Sequence, residues 1–322
     1  MNVRQWDGKP ISEPGIYANV PMSRYHSGDI CIGPSISSSG LRTIETESLA
    51  HYYEDSPYNP DRKPQEEVDY FAFGKAAHHL IAGMGDFSGE FVVRPTLWDS
   101  WRTKDAKAWR KEQQRQNKVV LTPDDVDMLQ GFGRSLSKHP TIRAGILNGL
   151  VEHSIFWRDE LTGVWLKSRP DFIPIDSNMV VDLKTIATAD PLSCRRSIND
   201  LGYHMQMALV HDGMKAVTGR VMEDHVLVFI EKKAPFCINI KPLLPFVIEY
   251  GQRQNRRALN KFAVALRTGE WPGYDDDLVP CGLMDHTLKR LAKEAEEHEL
   301  PTVDQGPADF EPFTDDTEEE GV

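Results

Sequence analysis

Residues 168–185, SRPDFIPIDSNMVVDLKT, constrain the fold more than any other stretch of this 322-residue chain. Apolar runs flank Asp176-Ser177-Asn178, whose side chains favour a turn, so the stretch reads as two strands joined in a hairpin. Alternation along the second run places Asp182 and Lys184 on one face and Leu183 on the other. Paired in register, the hairpin brings Asp171, which follows Pro170, close to Asp182. Two carboxylates offer hard oxygen donors to a Mg²⁺ ion. One ammonium beside them is a compact charge that can orient a nucleophile or stabilise charge on phosphorus. The bland alternative is a hairpin whose polar edge faces water.

Further stretches fit the same chemistry. Gly74 and His78 fall one helical turn apart in an apolar-patterned run, Phe73-Gly74-Lys75-Ala76-Ala77-His78-His79-Leu80. His79 is rotated about 100° from His78. Glu152 opens the strand-like run Val151-Glu152-His153-Ser154-Ile155-Phe156-Trp157, and Tyr203-His204-Met205-Gln206 begins a helix after the hairpin. In this order, Gly74…His78, Glu152, Asp171, Asp182-x-Lys184 and Tyr203…Gln206, the chain resembles the PD-(D/E)XK nuclease superfamily, with Asp in the D/E position. Ile36-Ser37-Ser38-Ser39-Gly40-Leu41-Arg42 resembles the start of the C-terminal nuclease domain of exonuclease VIII, the RecE-like branch. The resemblance covers roughly residues 30–270. One departure is Val210, where that branch often carries the Tyr of a Q-x-x-x-Y pattern.

The resemblance implies an α/β fold, a mixed central sheet flanked by helices, with a helical N-terminal elaboration. It implies Asp171, Asp182, Lys184, Glu152, Gln206 and Tyr203 as catalytic residues. The implied metal set is His78, Asp171, Asp182 and Leu183, for Mg²⁺ with Mn²⁺ as the alternative ion. The implied activity is a phage-type recombination exonuclease that digests one strand of double-stranded DNA ends 5′→3′. The 3′ overhang would be taken by a RecT-like single-strand annealing protein, and the enzyme would be a homo-oligomer, a tetramer by family analogy. Two other readings stay open: an endonuclease or helicase-associated nuclease with the same site, and a catalytically silent DNA-binding or phage adaptor protein.

A formal net charge of −12 is unexpected for a protein that grips phosphates. The imbalance lies in the tail: residues 294–322 hold 12 Asp or Glu and no Lys or Arg, leaving residues 1–293 balanced. Basic groups must therefore concentrate locally. The expected helix over 99–118 does this with Arg102, Lys104, Lys107, Arg110 and Lys111, and Arg169 adds a cation beside the acids; these are the expected DNA contacts. Arg253, Arg256 and Arg257 on a long helix over 243–268 are a second basic group.

The four cysteines, Cys31, Cys194, Cys237 and Cys281, lie too far apart for a zinc or disulfide framework, and the clustered cysteines of iron–sulfur relatives are missing. No apolar run long enough to span a membrane and no secretory leader is visible, so the expected setting is the reduced cytoplasm of a bacterial host cell. The expected division is an N-terminal segment 1–30, a nuclease domain 31–271, and an extension 272–322 ending in an acidic, disordered tail. Expected elements are a helix from Ser37 to about Tyr53 and another starting at Thr122-Pro123. Strands are expected over 151–158, 164–174, 179–185, 224–230 and 236–240, and helices near 190–198, 201–216, 243–268 and 285–299.

Overall fold

A computed structural model describes residues 1–63, 76–77, 79, 87–175, 177–274 and 281–298. Its strands in chain order are β1 (Val3–Gln5), β2 (Gly15–Ala18), β3 (Ser35–Ser37), β4 (Phe91–Val93), β5 (Val119–Leu121), β6 (Leu150–Val151), β7 (Ser154–Arg158), β8 (Trp165–Ser168), β9 (Phe172–Ile173), β10 (Met179–Ile186), β11 (Asp224–Glu231) and β12 (Ile238–Pro242). They form two five-stranded sheets, β1-β2-β7-β8-β3 and β12-β11-β10-β9-β6, and a separate β4-β5 pair.

Proline has no N–H to give a ladder, and Pro170 breaks the expected 164–174 strand into β8 and β9. Its partner breaks as well. Glu152 does not open a continuous strand but takes a left-handed φ of 48°, separating β6 from β7. The four pieces form one antiparallel ribbon bent in the middle. β7 pairs β8 in the first sheet, β6 pairs β9 in the second, and the Glu152 N–H donates to the Asp171 carbonyl at 3.0 Å across the bend. The first sheet also takes β1 and β2, so residues 1–30 form part of a compact unit spanning Met1–Tyr274.

Strand β10 is central to the second sheet, antiparallel to β9 and parallel to β11. A parallel neighbour requires a crossover, and helices Pro191–Asp200 and Tyr203–Thr218 supply it. Residues of β10 alternate between two cores. Val180 packs with Leu227, Phe229, Met207 and Phe262 on the face covered by helices Tyr203–Thr218 and Pro245–Thr268. Val181 and Leu183 pack with Phe172, Val228, Leu121 and Phe132 on the other.

The covering helix reaches across both sheets because Gly213 leaves room for Trp157 of β7: a Cβ at Gly213 would lie 2.6 Å from the indole. Gly213→Ala is therefore expected to destabilise the protein by about 1–3 kcal/mol through overpacking, despite the better helix propensity of alanine. Urea unfolding measures this, and a more stable variant would show that the indole can move aside.

Local signals explain other boundaries. The helix expected from Ser37 to Tyr53 is two, Ser38–Thr46 and Leu49–Asp55, because the Ser48 side chain accepts from the His51 N–H and starts the second. The basic helix is shorter than 99–118, at Lys104–Arg115, with the Thr103 hydroxyl capping it by accepting from the Ala106 N–H. Helix Pro123–Lys138 begins with a Thr122/Asp125 capping box, as its sequence predicts. Residues 275–322 form a second unit, in which Asp285–His298 is helical. Among the described residues no helix is long and apolar enough to cross a membrane.

Candidate active site

Asp171, Asp182 and Lys184 converge because the ribbon bend and β10 meet. The register pairs Val181 with Phe172, and stepping one residue sets Asp171 opposite Asp182. The Asp171 carboxylate accepts from the Leu183 main-chain N–H at 2.6 Å. In a strand the N–H and C=O of one residue point to the same edge, so the Leu183 carbonyl also faces the Asp171 side. The apolar side chain gives no sign of this role, and Leu183 entered the expected metal set through the family resemblance alone. The Leu183 side chain lies in the opposite core.

Asp182 is almost fully buried, at 1% exposure, and Asp171 is 9% exposed. Lys184 forms an ion pair with Asp182. Gln206, on the first turn of the covering helix, ties the pair together: its amide N–H donates to Asp182 at 2.8 Å and its carbonyl accepts from Lys184 at 3.0 Å. The Lys184 ammonium sits 4.6 Å from the centre of the Tyr203 ring. Burial opposes the ammonium, but the carboxylates of Asp182 and Asp171 outweigh it and raise its pKa above the ordinary 10.5. Tyr203 and Gln206 reach the sheet together because they are three apart on one helix face.

The other expected site residues are placed differently. Glu152 is at the bend, bonded through its main chain to Asp171, and its carboxylate is close enough to Arg169 to favour that cation. Gly74 and His78 lie outside the described residues. His79 is buried against Phe87 and Phe91, with Nδ1 3.6 Å from Glu90.

Arg169, expected as a DNA contact, is committed internally. It donates to the Ser154 hydroxyl at 2.8 Å and the Val20 carbonyl at 2.7 Å, and stacks over Tyr25. It fastens the N-terminal segment to the first sheet. Of the basic-helix residues, Arg102, Lys104, Lys107 and Lys111 are exposed, while Arg110 lies over the Trp101 ring at 5.0 Å. Strand β5, which follows that helix, packs through Leu121 into the core on the far face of β10 from Asp182.

The donor set suits a hard cation. Two carboxylates and a carbonyl facing the same edge are all oxygen. Asp171, Asp182 and Lys184 together carry one net negative charge in a largely desolvated place, which a divalent ion would offset. Among the described residues no three His, Cys, Asp or Glu side chains gather as a metal cluster. Oxygen donors of this kind suit a hard divalent ion.

A family model, the PDDEXK-like domain of unknown function (DUF3799), matches residues 37–286. No curated protein shows significant sequence similarity. The crystal structure of a candidate exonuclease from Eubacterium rectale superposes with a TM-score of 0.52 at 12% identity, over 79% of this chain and 92% of its own. At that identity the likeness is one of fold. An alkaline exonuclease from Laribacter hongkongensis aligns over 70% of this chain and 98% of its own at 12% identity, with a TM-score of 0.27, too low to carry an argument.

Proposed function

The chain belongs to the PDDEXK-like domain family, and from that premise we propose that it is a divalent-metal-dependent DNA exonuclease. The observation that carries the reading is the buried Asp171–Asp182–Lys184 constellation held by Gln206. Asp171, Asp182 and the Leu183 carbonyl would hold the ion, with Mg²⁺ proposed and Mn²⁺ as a substitute. The ion when bound supplies Lewis acidity and lowers the pKa of water. The remaining roles belong to the chain. Lys184 stays protonated at neutral pH and presents fixed positive charge to phosphate oxygens. Gln206 fixes the orientation of both Asp182 and Lys184, and Tyr203 keeps one side of the ammonium away from water.

Polarity and partners extend the proposal on the strength of the RecE-like resemblance. The substrate would be double-stranded DNA ends, digested 5′→3′, with the 3′ overhang passed to a RecT-like annealing protein during phage-type recombination. The working form would be a homotetramer in the bacterial cytoplasm. Incubation of purified protein with end-labelled linear duplex and closed-circular duplex, in Mg²⁺, Mn²⁺ or EDTA, tests the reading. Metal-dependent loss of 5′ label from linear DNA, with circles intact, is expected. Cutting of circles would make the protein an endonuclease, and no cleavage with either metal would reject the enzymatic reading.

A further inference from the structure

The long helix Pro245–Thr268 carries arginines in two different situations. Arg256 makes a two-point ion pair with Asp159 at 2.7 and 3.0 Å, and Arg257 pairs with Glu45. Arg253, on the same helix, has no hydrogen bond or ion pair among the described residues, and neither has Arg195 on helix Pro191–Asp200. Both are exposed, and both rim one groove of about 540 Å³. Its apolar lining includes Phe246 and Tyr250, 64% and 53% exposed although aromatic.

The groove floor is built and fixed. His204 is held between the Ile198 carbonyl at 3.0 Å and Gln254 at 2.6 Å, and Tyr250 stacks on its ring, with centroids 5.8 Å apart and planes 20° apart. His204 follows Tyr203, whose ring touches Lys184. One end of helix Tyr203–Thr218 therefore serves the catalytic network on one face and the groove on the next.

We propose that this groove is a single-stranded DNA subsite. Bases would stack on Tyr250 and Phe246, and phosphates would be held by Arg195 and Arg253. Aromatic faces interleaved with unpaired guanidiniums bind any base sequence, as a strand in transit through a nuclease requires. The volume lies in the range of small-ligand pockets. Glu249, also in the lining, can accept a hydrogen bond from an exocyclic base amine and would repel a purely anionic ligand such as free phosphate. The proposal rests on the nuclease reading, but its test does not depend on cleavage.

Binding of a fluorescent single-stranded oligothymidylate is measured in EDTA across a salt series, for wild type, R195A/R253A and F246A/Y250A. The arginine variant is expected to bind about tenfold more weakly, with a log–log salt slope shallower by about 1.4, two phosphate contacts at about 0.7 each. The aromatic variant is expected to lose at least about fivefold, the lower end for a single stacked base, with its slope unchanged. Hydrolysis of bis(p-nitrophenyl) phosphate, too small to reach the groove, should stay at the wild-type rate in both. Unchanged affinity and slope in both variants would overturn the subsite, as would loss of the small-substrate reaction, which would make these residues supports of the catalytic network. Wild-type protein that binds the oligonucleotide yet cleaves no DNA with Mg²⁺ or Mn²⁺ would reject the nuclease reading and leave the subsite standing.

Discussion

Asp182→Asn is expected to reduce metal-dependent DNA cleavage by on the order of a thousandfold or more, because it removes one of the two carboxylates proposed to hold the ion. The substitution keeps the shape and leaves an acceptor for the Gln206 amide N–H. It does break the pair with Lys184, whose ammonium is then left in a buried place with less compensation. Breaking a buried ion pair from one side typically costs about 3–5 kcal/mol, so lost stability could imitate lost catalysis. The double variant Asp182→Asn/Lys184→Met separates the two. It removes both charges, should recover most of the unfolding free energy in urea, and should remain inactive. Cleavage within a few-fold of wild type by folded Asp182→Asn would defeat the assignment. Asp171→Asn is expected to behave like Asp182→Asn in activity with a smaller stability cost, since its carboxylate faces a main-chain N–H.

The parts of this site legible in the sequence were those governed by short-range rules. Alternation in β10 placed Asp182 and Lys184 together, and turn chemistry placed the hairpin that sets Asp171 opposite them. Helical spacing grouped Tyr203 with Gln206. What was not legible depends on contacts distant in sequence. The run from Val151 to Trp157 reads as strand through Val151 and Ile155-Phe156-Trp157, and nothing local marks Glu152 as the left-handed hinge between two sheets. Arg169 resembles a phosphate contact by type and position, yet three residues distant in sequence engage its guanidinium: Val20, Tyr25 and Ser154. Arg253 and Arg256 are indistinguishable by spacing. Only the tertiary placement of Asp159 commits one and leaves the other facing the groove. The two strands within residues 1–30, at three and four residues, are too short to show a period in the sequence, and they join the sheet through the pairing of β2 with β7.

Lys184→Ala is expected to lower the cleavage rate by about 100- to 1,000-fold, the range for loss of one preorganised charge donor at a transition state, while changing DNA affinity in EDTA by less than about threefold. The asymmetry follows from where the ammonium sits. It is enclosed by Asp182, Gln206 and the Tyr203 ring, so it can reach a phosphate seated at the carboxylates but not the length of a bound duplex. Charge that grows during reaction is stabilised more than charge already present, so the effect falls on rate. Its raised pKa decides between two roles. The contribution from the Lys184 ionisation is fully present below the unfolded value of 10.5 and is lost as pH rises through the still higher folded value. Without metal, Lys184 is thus protonated throughout the neutral range, and the wild-type rate is expected to show no rise with pH from lysine deprotonation near neutrality. Lys184→Arg should not rescue, because a planar guanidinium is too broad for a slot that Gln206 and Tyr203 close around a compact ammonium. Rate and affinity measured on the same duplex decide the matter. A loss mainly in affinity would make Lys184 a phosphate clamp, and a wild-type rate that rises with pH on an ionisation absent from the residual activity of Lys184→Ala would make it a base.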